Sequence, residues 1–316
     1  MAAKISIRHG LRHQWSLYLF VLPALGMLLL FAYAPVSSAI YHSFFEWRGG
    51  ETRRYVGFDN FSRIFSDATF WSSFGTVGIL VVANIIKLIP SVLLAVLIHR
   101  LSGDRFRYFY RVLVLVPMIV PMIVTLFVWK FFLDPNIGPL NQLIESTGLK
   151  WALIQLDGVF GWGQFSADRG VGWLSQPGLI VPSLILWGFP WISSIGVLVY
   201  LAGLENIGAD IYEAADLDGA GSLARFWYIE LPLILTQIRM TLVLLVIGTL
   251  QSFGLQLLLL DENGGPGGRG MVPGLWMYNR AFAANEFGYA CAIGLVLFLA
   301  ILLLTWFNNK FVRVDK

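Results

Sequence analysis

YEAADLDGAGSLARFWYIELP, residues Tyr212 to Pro232, is the least hydrophobic stretch of this chain that still reads as folded, and it lies between two long apolar runs. Asp210 and Glu213 have capping-box spacing, which predicts a helix starting at Ile211. Gly219 is placed as a C-terminal cap, Gly221 prolongs the break, and Ser222 can cap a second helix that ends before Pro232. The first helix carries Asp210, Glu213, Asp216 and Asp218 without one basic residue. Ile207, Ile211 and Ala214 or Ala215 recur at helical spacing as an apolar stripe. Helices this short are marginal in water without tertiary contacts, so something holds the pair. An anionic membrane surface would repel four carboxylates, whereas alanines allow close backbone approach and acids offer acceptors to a basic cleft. Docking on another protein is favoured over a solvated loop.

The flanking runs set the fold class. The 316 residues are 57% hydrophobic and 13% charged, against roughly 25% charged in a soluble domain. Six apolar stretches, 15–45, 73–98, 112–133, 177–204, 233–260 and 286–307, reach the length of about 20 residues that a helix needs to cross a bilayer. The expectation is an all-α membrane protein with six transmembrane helices. Lys4, Arg8 and Arg12 precede Ala32-Tyr33-Ala34, which superficially resembles a cleavage site. Pro35 follows at once and the apolar run continues to Phe45, so the first span reads as uncleaved, kinked or broken near Pro35. Residues 1–72 then hold a cytoplasmic tail, the first span and the first external loop; 73–310 hold the other five spans; 311–316 form a cytoplasmic tail.

With six spans both termini share a side. That side collects twelve basic residues: Lys4, Arg8, Arg12, Arg100, Arg105, Arg107, Arg111, Arg225, Arg239, Lys310, Arg313 and Lys316. The other, longer in total, has nine, at 48, 53, 54, 63, 130, 150, 169, 269 and 280. The density difference puts both termini, and the loop 205–232, in the cytoplasm. The longest external connection, 134–176, carries turn signals at Asp134-Pro135-Asn136 and Gly138-Pro139 and reads either as a small cap or as a flexible excursion. Trp15, Trp47, Trp71, Trp129, Trp173 and Trp306 sit near span ends as interfacial anchors. Basic residues are spread over loops rather than run together, so nucleic acid is not suggested. The single cysteine, Cys291, lies in the last apolar run and can form no intramolecular disulfide.

The spacing Glu213-Ala214-Ala215, three residues, Gly219, nine residues, Ile229, one residue, Leu231-Pro232 resembles in full the EAA loop of binding-protein-dependent ABC importer permeases. Residues 213–220 and Phe226 look like the carbohydrate-uptake branch, which contains the maltose transporter permeases. Leu201-Ala202-Gly203-Leu204, Asp134 to Leu143, Trp173-Leu174 and Gly264-Gly265-Pro266-Gly267 agree, and the resemblance spans roughly residues 15–310; the stretch 152–172 looks inserted. The resemblance implies a type I importer permease fold in a bacterial cytoplasmic membrane. It implies that residues 211–218 form a coupling helix seated in a groove of a separate ATPase subunit. Glu213, Ala214, Ala215, Asp218, Gly219, Ala220 and Pro232 are its matching positions, Glu213 being the principal polar contact. A second homologous permease subunit, more readily a different chain than a second copy, two ATPase subunits and an extracytoplasmic binding protein delivering a sugar are the implied partners. ATP and Mg would be bound by the ATPase subunits, and no cofactor by this chain.

The residues themselves agree that the energy source is another polypeptide. A P-loop needs Gly-Lys-Ser/Thr, and no lysine here follows a glycine. The match Gly265-Pro266-Gly267-Gly268-Arg269-Gly270 to a dinucleotide pattern follows a span and not a strand, so it carries no weight. His9, His13, His42 and His99 form no metal-ligand pattern, and no nucleophile–base arrangement stands out. Enzymatic activity is not expected.

Polar groups inside spans point to a pathway. Lys87 is the ionisable residue near the middle of a span, with Asn84 one turn away; it either faces a pathway, snorkels, or pairs with a carbonyl. Gln251, Ser252 and Gln256 offer partners for sugar hydroxyls, and Trp187 and Trp191, four apart, offer faces for stacking, against the alternative of packing between helices. Pro182, Pro190, Gly188 and Gly196 permit broken helices. Two other functions stand beside ATP-driven sugar import. A secondary transporter usually relies on an embedded carboxylate, and no span interior has Asp or Glu. A membrane scaffold would use the acidic loop as a docking handle only.

Overall fold

The computed structural model describes residues 15–311; the basic residues at 4, 8, 12, 313 and 316, His9, His13 and both expected tails up to 14 and from 312 lie outside them. The regular elements among the described residues are helices, apart from one two-stranded hairpin. They form two compact units, one of residues up to Ser66 with Arg280–Val296, the other of Asp67–Asn279 with the residues from Leu297 on.

In the first unit, α1 (Trp15–Leu28) runs through a π turn, Leu29–Tyr33, into α2 (Ala34–His42). The Ala34 N–H donates to Leu29 O, so the wider turn sits just ahead of Pro35 and the helix continues where a kink or break was expected. Strands β1 (Phe45–Trp47) and β2 (Arg53–Tyr55) pair antiparallel with Glu46 opposite Arg54. The following helix, α3 (Asp59–Phe65), is tied back by Asn60, whose amide donates to Ser43 O at 2.8 Å and Phe45 O at 3.0 Å. Arg63 of α3 grips Glu286 through both guanidinium nitrogens, and Gly288 comes so close to Phe45 O that a Cβ there would sit 2.0 Å from it.

The second unit holds the helices that position the candidate sites. They are α4 (Ala68–Ile86), α5 (Leu88–His99), α6 (Asp104–Ile119), α7 (Met122–Phe132), α8 (Pro139–Ser146), α9 (Leu149–Phe160), α10 (Ile180–Leu186) and α11 (Ser194–Glu205). After them come α12 (Ala209–Leu217), α13 (Ser222–Arg225), α14 (Leu231–Leu233), α15 (Leu235–Gln251), α16 (Gly254–Leu259) and α17 (Pro273–Tyr278). The last helix, α18 (Phe287–Phe311), begins in the first unit and ends in the second. By length and composition, three described helices can cross a membrane, Tyr18–His42, Ala68–His99 and Phe287–Phe307, and bent pairs raise the number to as many as six. The bend of 86° between α6 and α7 falls at Val120-Pro121, where the residue before proline is pushed into an extended conformation.

The run 177–204 is not one helix but two pieces, α10 and α11, separated by residues 187–193. Likewise 233–260 is interrupted at Ser252, whose backbone is extended between α15 and α16. Two apolar cores hold these pieces. One joins α5 and α11 through Val92, Ala95, Val96, Val197, Tyr200 and Leu204; the other joins α4, α10, α16 and α17 through Val77, Leu80, Leu184, Leu259 and Leu275. The connection 134–176 is ordered rather than a free excursion. Ile144, Val171 and Leu179 form a small core of their own, and the buried Asp157 of α9 accepts from the backbone N–H groups of Gln164 and Phe165.

Candidate functional site

Helix α12 starts at Ala209, two residues before the expected position, because Gly208 and not Asp210 occupies the cap. The Asp210 carboxylate instead lies in the first turn, where the helix dipole favours a negative charge, folded so closely over Gly208 that a Cβ there would meet its Oδ1 at 2.1 Å. The C-terminus ends as the sequence suggests. Gly219 has φ +71°, its N–H donates to Asp216 O at 3.1 Å and the Ala220 N–H to Ala215 O at 2.8 Å, which together make a Schellman motif.

The second helix departs from expectation at both ends. Gly221, not Ser222, is its cap, and the Ser222 carbonyl accepts from Arg100 Nη2 at 2.7 Å. The chain then passes through a π turn, Phe226–Glu230, and stays helical past Pro232 to Leu233. The π turn shifts the hydrogen-bond register just before the residue that lacks an N–H, so the break falls at Ile234 instead.

The apolar stripe divides. Ile207 packs against the α5/α11 core and Ala215 is 6% exposed, while Ile211 and Ala214 face outward. Glu213, Leu217 and Asp218 are exposed too, Leu217 at 90%. Asp216, expected among unpaired acids, forms an ion pair with Arg225 of the second helix. Beneath this surface lies a clamp. Glu230, whose side chain is fully buried, accepts from Arg100 Nε at 3.0 Å and Nη2 at 2.7 Å. Tyr212 and His99 meet at 3.2 Å, oxygen to Nε2, and Arg111 pairs with Glu205. Burial, and then the nearby Glu230 charge, push the Tyr212 hydroxyl up to about 12. Glu230 was missed in the sequence, although a carboxylate inside Ile229-Glu230-Leu231 is a signal that can be read.

Six of the seven pathway candidates come together. A cavity of about 500 Å³ is lined by Asn84, Lys87, Trp187 and Trp191, and an adjoining one of about 320 Å³ by Asn84, Lys87, Trp187, Ser252 and Gln256. Gln251 is exposed and lines neither, because α15 ends there and the chain turns at Ser252. The two tryptophans are not on a helix. They lie within the break 187–193, where Gly188 has φ +77° and Trp191 φ +61°, a region that residues other than glycine seldom occupy. Trp191 is held there by its Nε1 donating to Ile185 O at 3.1 Å and by Ser91 Oγ reaching its carbonyl at 3.4 Å. Lys87 stands where α4 gives way to α5; its Nζ donates to Trp187 O at 3.4 Å and lies 5.8 Å from the centre of the Trp191 ring. Asn84 donates to Thr249 Oγ1 at 3.0 Å. Gln256 is 3% exposed, and its Oε1 has no donor among the described residues, an arrangement that costs about 1–3 kcal/mol unless something supplies one. Among the described residues no cluster of three His, Cys, Asp or Glu could hold a metal ion.

A family model described as the binding-protein-dependent transport system inner membrane component matches residues 91–313. The diacetylchitobiose uptake system permease protein NgcF of Streptomyces coelicolor is 28% identical over 285 residues, covering 86% of this chain and 75% of the relative. The sulfoquinovosyl glycerol transport system permease protein SmoG of Agrobacterium fabrum is 26% identical over 298 residues, covering 93% and 89%. Among solved structures, a chain of a bacterial alginate ABC transporter in complex with an alginate pentasaccharide-bound periplasmic protein superposes with a TM-score of 0.79 at 22% identity, over 97% of both chains.

Proposed function

Because this chain belongs to the family of binding-protein-dependent transport system inner membrane components, we propose that it forms half of the translocation pathway of an ATP-driven importer for a sugar or oligosaccharide. Its part is transport, not catalysis. The chain crosses the cytoplasmic membrane six times with both termini inside, pairs with a second homologous permease, and receives its sugar from an extracytoplasmic binding protein. ATP and Mg are bound by two separate ATPase subunits.

The observation that carries the reading is the division of labour in the loop 205–232. One face is locked into the protein by Arg100, Glu230 and Ala215, and the other presents Glu213, Ala214, Leu217 and Asp218 outward. A helix anchored on one side and bare on the other is what a docking lever requires. Asp218, Gly219 and Ala220 form its end, and Pro232 lies in the segment that returns to the membrane. Closure of the ATPase pair would draw two such levers together and rock the permeases from inward-open to outward-open. The cavities lined by Asn84, Lys87, Trp187, Trp191, Ser252 and Gln256 are the stretch of pathway that this chain contributes. The names of the relatives, for diacetylchitobiose and sulfoquinovosyl glycerol, support a sugar as cargo.

Affinity purification of the tagged chain from its own cells tests this. A second six-helix permease and two copies of an ATPase should co-purify, and vesicle uptake should need ATP and the binding protein. A chain that transports alone without nucleotide would overturn the reading.

A further inference from the structure

Lys87 is a cation with no counter-charge beside it among the described residues. Its Nζ finds a single carbonyl at 3.4 Å and an indole face at 5.8 Å. None of the side chains lining the cavities that it enters is acidic. A charge inside a membrane span is costly, and such residues pair with an opposite charge or serve one that passes. One of the two adjoining cavities is lined by Gln256, whose buried Oε1 has no donor among the described residues, and the other by both indoles, Trp187 and Trp191, on a backbone bent to bring them there. Taken together these make a site with one cationic end, aromatic walls, and an acceptor that lacks a hydroxyl.

Building on the importer reading, we propose that the cargo is an anionic sugar, bearing a carboxylate, sulfonate or phosphate that Lys87 neutralises in transit while a ring hydroxyl donates to Gln256. A neutral sugar would satisfy Gln256 and the indoles but leave the ammonium as it is now. An acidic sugar satisfies all of them. Carboxylate, sulfonate and phosphate share the needed chemistry, and the panel below separates them.

The test compares cells carrying the complete transport system with a strain deleted for this chain. Labelled oligogalacturonides, a sulfonated glycoside and a sugar phosphate are offered beside neutral maltotriose and the methyl ester of the same oligogalacturonide. Uptake that depends on the chain should be confined to one of the acidic compounds. Lys87→Gln should lower it on the order of 30-fold, as for a lost buried charge partner, and Lys87→Arg should restore most of it. Chain-dependent uptake confined to neutral sugars would overturn the inference and leave the importer reading standing. Absence of chain-dependent uptake of any sugar, acidic or neutral, would overturn the sugar-importer reading itself. The third contrary result is loss of the co-purifying permease in Lys87→Gln, which would assign the counter-charge to that subunit and sink the inference.

Discussion

Arg100 and Glu230, 130 positions apart in sequence, are joined by two parallel hydrogen bonds, with the carboxylate fully buried and the guanidinium 31% exposed. Replacing Arg100 with Ala strands a buried carboxylate. The expected loss is roughly 2–4 kcal/mol, somewhat below that for a wholly enclosed pair because the guanidinium keeps some solvent. Thermal unfolding of the purified complex reads it directly. Arg100→Met combined with Glu230→Leu should recover most of the loss, since an apolar pair leaves no orphaned charge.

Glu213 is exposed and makes none of the anchoring contacts, so its replacement should spare the fold. Glu213→Lys is expected to stop uptake while the permease pair still assembles, measured as transport against co-purification. Normal uptake in that variant would favour a scaffold.

Gly219 has open space around its Cα, so only its φ of +71° resists a side chain. Gly219→Val should cost about 1–2 kcal/mol and disturb the end of α12, whereas Gly219→Asn, which tolerates the left-handed region, should cost a few tenths. Melting temperatures of the two variants should separate accordingly.

Trp191 supplies an aromatic wall to the larger cavity. Trp191→Ala should raise the substrate concentration for half-maximal uptake by about tenfold, while Trp191→Phe keeps the ring and most of the affinity. Equal kinetics in both variants would assign the indole to packing alone.

The raised Tyr212 hydroxyl sets a direction for alkaline pH. Its folded value of about 12 lies above the ordinary 10.0, so the native state holds the proton more tightly. This contribution to stability is complete below pH 10 and is lost as pH climbs through 12. The melting temperature of the complex should therefore fall more steeply over that window in the wild type than in Tyr212→Phe.

The loop announced itself because its glycines and alanines obey local rules: Gly219 takes the conformation its position demands whatever surrounds it. Its boundaries were less legible. Asp210 has the composition of a cap, but Gly208 allows the closer approach, and Pro232 ends no helix because a π turn precedes it. Asn84, Lys87, Trp187, Trp191, Ser252 and Gln256 could be singled out as polar or aromatic groups in apolar runs, and the two adjoining cavities together take in all six. Their geometry could not be read, since periodicity assumes the unbroken helices that residues 187–193 and Ser252 interrupt. Pairings such as Arg100 with Glu230 depend on which segments meet, which no local pattern records.

Helix α5 has 12 residues, so it is a stiff rod about 18 Å long. Arg100 is fastened at one tip and Lys87 stands at the other. In the proposed importer, a push on the acidic helix would have a direct mechanical line to the ammonium at the cavity wall, so that a stroke reshaping the passage would also reposition the charge within it.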